Sequence, residues 1–255
     1  MNSIADVLNI LDPISLKEMD SVKLMDRVDT KYVFSSSKLP LFLEAIKDSY
    51  RVLAVNEHRV INYQSLYFDT KDYELYRQHH CGWMNRYKVR FRKYVESNLN
   101  FFEIKFKSNK GRTVKKRISC RQIEEIISGN EREFLKGKTD LSAADLCAVM
   151  WTNYTRITLV NRYSPERVTI DSNLSFRNER AEKSIPRLAV AEVKQEKSVK
   201  SPFGRLMKSN RIREGFISKY CFGISSLVEG VKKNNFKPRL IQLNKLNQHD
   251  TANFE

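Results

Sequence analysis

The chain has 255 residues, enough for a substantial core, and its 46 lysines and arginines exceed its 30 aspartates and glutamates to leave a formal charge of +16. A hydrophobic content of 41% excludes a disordered basic tail as the whole of it, and no apolar run approaches the ~18 residues of a bilayer span. Self-repulsion on this scale calls for an anionic ligand to share the surface. Residues 1–11 carry Asp6 and no basic n-region, so no secretory signal is expected, and a cytoplasmic protein is. Cys81, Cys120, Cys147 and Cys221 have neither zinc-ligand nor disulfide-framework spacing and are expected to be reduced thiols. His79, His80 and Cys81 are neighbours, but no second cluster completes a tetrahedral metal site.

In chain order, residues 4–10 and 15–25 read as short helices, the second opening on Ser15 and Glu18 at capping-box spacing. Residues 1–25 form a helical lead-in to one domain over 26–233. Residues 27–34 alternate as a strand. Ser37 followed by Leu39, Phe42, Leu43 and Ile46 predicts a helix that admits Pro40 in its first turn. Strands follow at 61–69, 86–94, 100–107 and 112–119, then helices at 121–127 and 141–153. Further strands occupy 155–160, 167–171 and 188–196, and a last helix 224–233. Residues 234–255 turn polar and aperiodic and read as a mobile tail. Eight alternating segments among a few helices predict a mainly antiparallel α+β domain, and eight strands is about the number that closes into a small barrel.

The charge falls on one side of these strands. Arg86, Lys88, Arg90 and Arg92 share a face opposite Tyr87, Val89 and Phe91. Glu103, Lys105 and Lys107 oppose Phe102, Ile104 and Phe106; Thr113, Lys115 and Arg117 oppose Val114, Lys116 and Ile118; Arg167, Thr169 and Asp171 oppose Val168 and Ile170; Glu192 and Lys194 oppose Ala191 and Val193. An open sheet with one wet face shows the same alternation. The uniform sign argues against it, because like charges about 7 Å apart repel and an unneutralised row needs a counter-charge. With the rows turned inside a closed sheet, a polyphosphate would supply that charge in a low-dielectric channel. Glu103 and Glu192 each stand two residues before an in-row lysine. A carboxylate holding a divalent cation and a plain intra-strand ion pair both fit that spacing. Nucleic-acid readers set aromatics among their cations, whereas Tyr87, Phe91, Phe102 and Phe106 lie opposite the charge, so no specific nucleic-acid partner is expected. None of His58, His79, His80 and His249 falls on the cationic rows.

These residues resemble a known family. Arg27-x-Asp29-x-Lys31-Tyr32, Ser65-Leu66-Tyr67-Phe68-Asp69-Thr70, Tyr87-Lys88-Val89-Arg90-Phe91-Arg92, Phe102-Glu103-Ile104-Lys105, Val114-Lys115-Lys116-Arg117, Asn153-Tyr154-Thr155-Arg156, Arg167-Val168-Thr169-Ile170-Asp171, Ala191-Glu192-Val193-Lys194 and Ser218-Lys219-Tyr220 occur in the order seen in the VTC (vacuolar transporter chaperone) polyphosphate polymerase domain, of the triphosphate tunnel metalloenzyme (CYTH-like) superfamily. The resemblance runs over roughly residues 25–230. It implies an eight-stranded antiparallel β-barrel tunnel with flanking helices that binds a triphosphate with Mn²⁺ or Mg²⁺. The implied reaction moves the γ-phosphate of ATP onto inorganic polyphosphate. Arg90, Arg92, Lys105, Arg156 and Lys219 would be catalytic; Lys31, Lys115, Arg167 and Ser218 would also bind phosphate, joined by Arg86, Lys88 and Lys194 from the cationic rows. Glu192 would hold the metal, with Glu103 as a second carboxylate.

Two departures stand out. The superfamily's opening E-x-E-x-K reads Arg27-x-Asp29-x-Lys31, which favours the polymerase branch and removes a first metal carboxylate. Phe216 and Ile217 stand where the polymerase pattern tends to carry another cation ahead of Ser-Lys. A triphosphate hydrolase of the same fold and a non-catalytic polyanion binder are the rival readings.

Overall fold

Alternating side chains, apolar on one face and charged on the other, build a single curved sheet with most of its helices on the apolar face. The computed structural model describes residues 3–21, 27–196 and 201–248. In chain order the elements are α1 (Ile4–Ile10), β1 (Pro13–Ile14), α2 (Leu16–Ser21), β2 (Arg27–Ser35), α3 (Leu39–Ile46), β3 (Tyr50–Leu53), β4 (Ile61–Asp69), α4 (Glu74–His80), β5 (Arg86–Tyr94), β6 (Leu99–Lys107) and β7 (Thr113–Cys120). They continue with α5 (Gly129–Lys136), β8 (Cys147–Asn161), β9 (Glu166–Arg177), β10 (Glu182–Ile185), β11 (Leu188–Glu196), α6 (Pro202–Ser209), α7 (Lys219–Leu227) and α8 (Lys237–Gln248).

The eight strands expected from alternation form the main path of the sheet, in the order β2-β11-β9-β8-β4-β5-β6-β7, and every pairing along it is antiparallel. The barrel expectation needs one correction, because β2 and β7 end the path without pairing to each other. The sheet curls but is not closed by hydrogen bonds. Part of the β2 edge is covered from elsewhere: Gly215 N–H donates to Lys31 O at 2.8 Å, and Tyr32 bridges Glu214.

On the convex side, Val89, Phe91, Phe102 and Ile104 pack with Leu75 of α4 and Leu135 of α5. Phe34, Val168, Ile170, Ala191 and Val193 pack with α1, α3 and α6 through Val7, Leu8, Phe42, Leu43, Phe203 and Met207. The concave side is filled at one end by α7, whose Tyr220 and Ile224 join Tyr67, Met150, Tyr154 and Phe176 in one buried cluster. Ser218 caps α7, accepting from Cys221 N–H. Asp69 holds α7 in place: it accepts from the Tyr220 hydroxyl and from the N–H groups of Thr70, Leu75 and Tyr76 at 2.7, 2.8 and 2.9 Å.

Several local expectations fail for identifiable reasons. Residues 141–153 are not a helix; after a short 3₁₀ turn at Ala143–Asp145 they enter β8. Met150 packs on the concave side and Trp151 on the convex, so both faces are apolar and the period of two is lost. The helix near 121–127 lies further on, as α5, and α7 begins five residues before its expected start because it is buried nearly all round and shows no stripe. The polar tail is folded over 234–248, where Leu240, Leu243 and Leu246 dock α8 onto the α7 cluster. Residues 22–25 of the second expected helix and 249–255 of the tail lie outside the described residues.

Gly223 marks the tightest contact of α7, since a Cβ there would overlap Met150 Sδ and the Phe176 ring. Gly223→Ala should therefore lower stability by about 1–3 kcal/mol through overpacking. In a thermal melt this appears as a fall in Tm of roughly 2–10 °C.

Candidate functional site

The concave face gathers the charged rows into three carboxylate-centred clusters. On β6, Glu103 is 2% exposed and takes Arg90 Nε and Nη2 on one oxygen at 2.8 and 2.6 Å. Lys115 of β7 takes the other oxygen, and Arg92 stands 4.0 Å away. On β9, Asp171 receives Arg156 Nε and Nη2 as a fork at 2.5 and 2.8 Å and shares one oxygen with Lys219 from α7. On β11, Glu192 lies between Lys31 of β2 at 2.6 Å and Lys194 at 2.5 Å.

Tyrosines hold the arginines from the side. Tyr63 of β4 and Tyr154 of β8 stack at 5.1 Å, and both rings lie under the guanidinium groups of Arg92 (5.3 and 5.9 Å) and Arg156 (4.9 and 5.4 Å). Lys219 Nζ sits 4.5 Å from the Tyr154 centroid, and Arg90 donates to the Tyr67 hydroxyl at 2.8 Å. The sequence reading left these tyrosines out. The signal was present in β4, where Tyr63, Ser65 and Tyr67 alternate, and Ser65 accepts from Arg92 Nε at 3.2 Å.

Another region of the face has cations with no carboxylate partner among the described residues. Lys88 Nζ donates to Ser218 Oγ at 2.9 Å and stands 3.4 Å from His79 Nε2, while Arg86 Nε donates to His79 Nδ1 at 2.6 Å. Lys105 pairs with Lys88 across the β5–β6 ladder and with Lys115 across β6–β7. Arg167 is half-buried on β9, facing Lys194 in register.

The VTC domain family matches residues 26–228, most of the chain. The chain belongs to the VTC domain family. A putative adenylyl cyclase from Hippeastrum, described as having a dominant triphosphatase activity, superposes with a TM-score of 0.52 at 12% identity, covering 81% of this chain and 98% of its own. A putative adenylate cyclase from Bacillus halodurans gives 0.49 at 13% identity, covering 76% and 96%; one from Vibrio parahaemolyticus gives 0.45 at 11%, covering 77% and 96%. No curated protein matches the sequence. The VTC domain thus has a triphosphate tunnel fold.

Within this VTC domain the tunnel sets the protonation states. Burial alone would raise the carboxyls of Glu103, Asp171 and Glu192, but the cations clasping each outweigh it and hold all three well below the usual carboxylate range. His79 is pushed down to about 2, first by burial and then by Lys88 and Arg86, so it is neutral. With Nδ1 accepting from Arg86, its proton is assigned to Nε2. Burial and neighbouring cations also lower Lys88. Lys105 falls to about 8, through lost hydration first and Lys88 next, opposed by Glu192 from the far wall.

All the expected phosphate-binding residues are thus on the concave face, but not equivalently. Arg92 is 6% exposed and enclosed by tyrosines, whereas Lys105 remains reachable by solvent. Glu103 and Glu192 both have each oxygen paired with a cation, the ion-pair alternative of the sequence reading; they differ in exposure, 2% for Glu103 against 24% for the Glu192 side chain. Among the described residues no three His, Cys, Asp or Glu side chains come together as a metal cluster.

A lysine at about 8 is charged at pH 7 and largely neutral at pH 9, so tripolyphosphate affinity should fall across that interval. Anion binding favours the charged form, and calorimetry near pH 8 in buffers of different ionisation enthalpy should register proton uptake. Lys105→Arg, charged throughout, should abolish the uptake and flatten the profile.

Proposed function

We propose that this VTC domain is a metal-dependent polyphosphate polymerase, transferring the γ-phosphate of ATP to the end of an inorganic polyphosphate chain. The observation that carries the reading is the cationic lumen, in which seven lysines and arginines are aimed inward by three carboxylates and three more cations stand without one.

Phosphoryl transfer makes little covalent demand on the protein; it needs alignment and compensation of charge on the transferring group. Arg90 and Arg156 are already oriented by Glu103 and Asp171, so their remaining N–H groups meet phosphate oxygens without reorganisation. Lys31, Lys105, Lys115, Lys194 and Lys219 add point charges. The acceptor is a terminal phosphate already ionised at neutral pH, so no base is required, in keeping with a neutral His79 that faces only cations. Glu192, ionised and partly exposed, is the carboxylate that would hold a divalent ion, Mn²⁺ or Mg²⁺, in exchange for its contacts with Lys31 and Lys194. When bound the ion would neutralise charge between adjacent phosphates. Glu103, clasped by three cations, is left to position Arg90 and Lys115.

A triphosphate hydrolase is the second reading, favoured by the activity described for the Hippeastrum protein of the same fold. Incubation with ATP and Mn²⁺ followed by gel separation distinguishes them: a polymerase makes a polyphosphate ladder, and orthophosphate alone would replace the proposal with the hydrolase.

Lys105 is the informative position, because removing it orphans no carboxylate. Lys105→Ala should cut transfer from ATP by about 10²-fold, the scale of one lost transition-state donor, while heparin binding changes little. The exposed Lys232→Ala should do the reverse. Equal small effects from both would leave only a basic binding surface.

Glu192→Gln keeps the side chain's size but removes the charge a divalent cation requires. Metal-dependent turnover should be lost, while tripolyphosphate binding without added metal holds or strengthens, since Lys31 and Lys194 lose their competitor. Unchanged turnover across a Mn²⁺ titration would remove Glu192 from the metal site.

A further inference from the structure

Phe216 and Ile217 replace a cation of the polymerase pattern, and the phosphate tunnel gives them no role. They form part of the wall of a cavity of about 250 Å³ between the start of α7 and α8, completed by Phe236, Leu240, Leu243 and Arg239. Resting on the tunnel reading above, we infer that this cavity receives the planar nucleobase of the nucleoside triphosphate whose phosphates lie in the tunnel.

Three observations converge on that occupant. The cavity joins the tunnel through a shared residue: Ser218 lines it, and Ser218 Oγ accepts from Lys88 of the cationic row. His79 makes a second junction, accepting from Arg86 while its ring centroid lies 6.1 Å from that of Phe216. Ser218 thus stands between the cationic row and the cavity, within reach of both parts of one bound molecule.

The walls select against more phosphate. Aromatic and aliphatic side chains offer a polyphosphate no compensation for lost hydration, and Arg239 is the single cation in the lining. A nucleobase has apolar faces to lie against Phe216 and Phe236 and polar edges for the rim. Asn235 lines the same cavity with its amide nitrogen committed to His80 O at 2.9 Å, which leaves Oδ1 as an acceptor. The volume is below the roughly 300–1,000 Å³ of drug-sized sites and suits one flat ring system. Phe216, 55% exposed although large and aromatic, is then a stacking surface awaiting its partner. This placement also orients the donor, with the α-phosphate at Lys88 and Ser218 and the γ-phosphate toward Lys105, Arg90 and Lys115.

Calorimetry with the full chain in Mg²⁺ buffer tests this, using tripolyphosphate and the β,γ-imido analogue of ATP as probes. Wild type should bind the ATP analogue more tightly than tripolyphosphate. Phe216→Ala, which removes one face of the stack at an exposed position, should weaken the analogue by about tenfold and leave tripolyphosphate within twofold. Leu240→Trp, filling the cavity from α8, should have the same selective effect. Equal losses for both ligands, or no loss of the analogue in either variant, overturn the base site while the tunnel reading stands. A wild-type chain that fails to bind tripolyphosphate overturns the tunnel reading and the base site with it.

Discussion

Enclosing a row of like charges is the constraint from which the architecture follows. A strand carrying Arg86, Lys88, Arg90 and Arg92 on one face cannot turn that face inward unless something meets the charge. Glu103, Asp171 and Glu192, on three different strands, meet part of the lumen's charge, each between at least two cations. Buried ion pairs of this kind add little net stability, because desolvation offsets their attraction. What they contribute is orientation. Arg90, Arg92 and Arg156 are each held by a carboxylate and by tyrosine faces before a ligand arrives, so this part of the lumen is a preorganised field of donors.

The balance is deliberately incomplete. Lys88, Lys105 and Arg86 lack carboxylate partners among the described residues, and burial first, then repulsion by neighbouring cations, disfavours the charged forms of Lys88 and Lys105, an unfavourable balance. An anionic ligand relieves it. Two of these cations, Lys88 through Ser218 and Arg86 through His79, border the junction with the apolar cavity, so the polar and apolar halves of a nucleotide would meet surfaces of matching character on either side of Ser218.

One buried carboxylate outside the lumen holds these parts in register. Asp69 ends β4, ties the start of α4 through backbone N–H groups and anchors α7 through Tyr220. His79 comes from α4 and Ser218–Lys219 from the cap of α7, so both walls of the junction hang from this residue. The edges of the sheet are left unpaired with each other, and segment 214–215 covers part of β2 on the way to α7, which makes the route of the chain part of the tunnel wall.

Strands β5, β6 and β11 were legible residue by residue, because a half-buried strand must alternate, and alternation also told which side chains share the charged face. The strings that resemble the VTC domain lie on those same strands. Where both sides of an element are covered, as for β8 and α7, the periodic signal vanished and the boundaries were misread. Charge sign was readable but partnership was not: nothing in the order of residues says that Asp171 will clasp both Arg156 and Lys219, 48 residues beyond it, or that Glu103 will be buried with its cations while Glu192, also paired on both oxygens, stays partly exposed. The cavity beside Ser218 was invisible for the same reason, its walls arising from α7, α8 and the segments that precede each of them. Local periodicity belongs to the sequence because it reflects which way neighbouring side chains point; contacts between distant strands and helices exist only once the sheet has curled and brought their faces together.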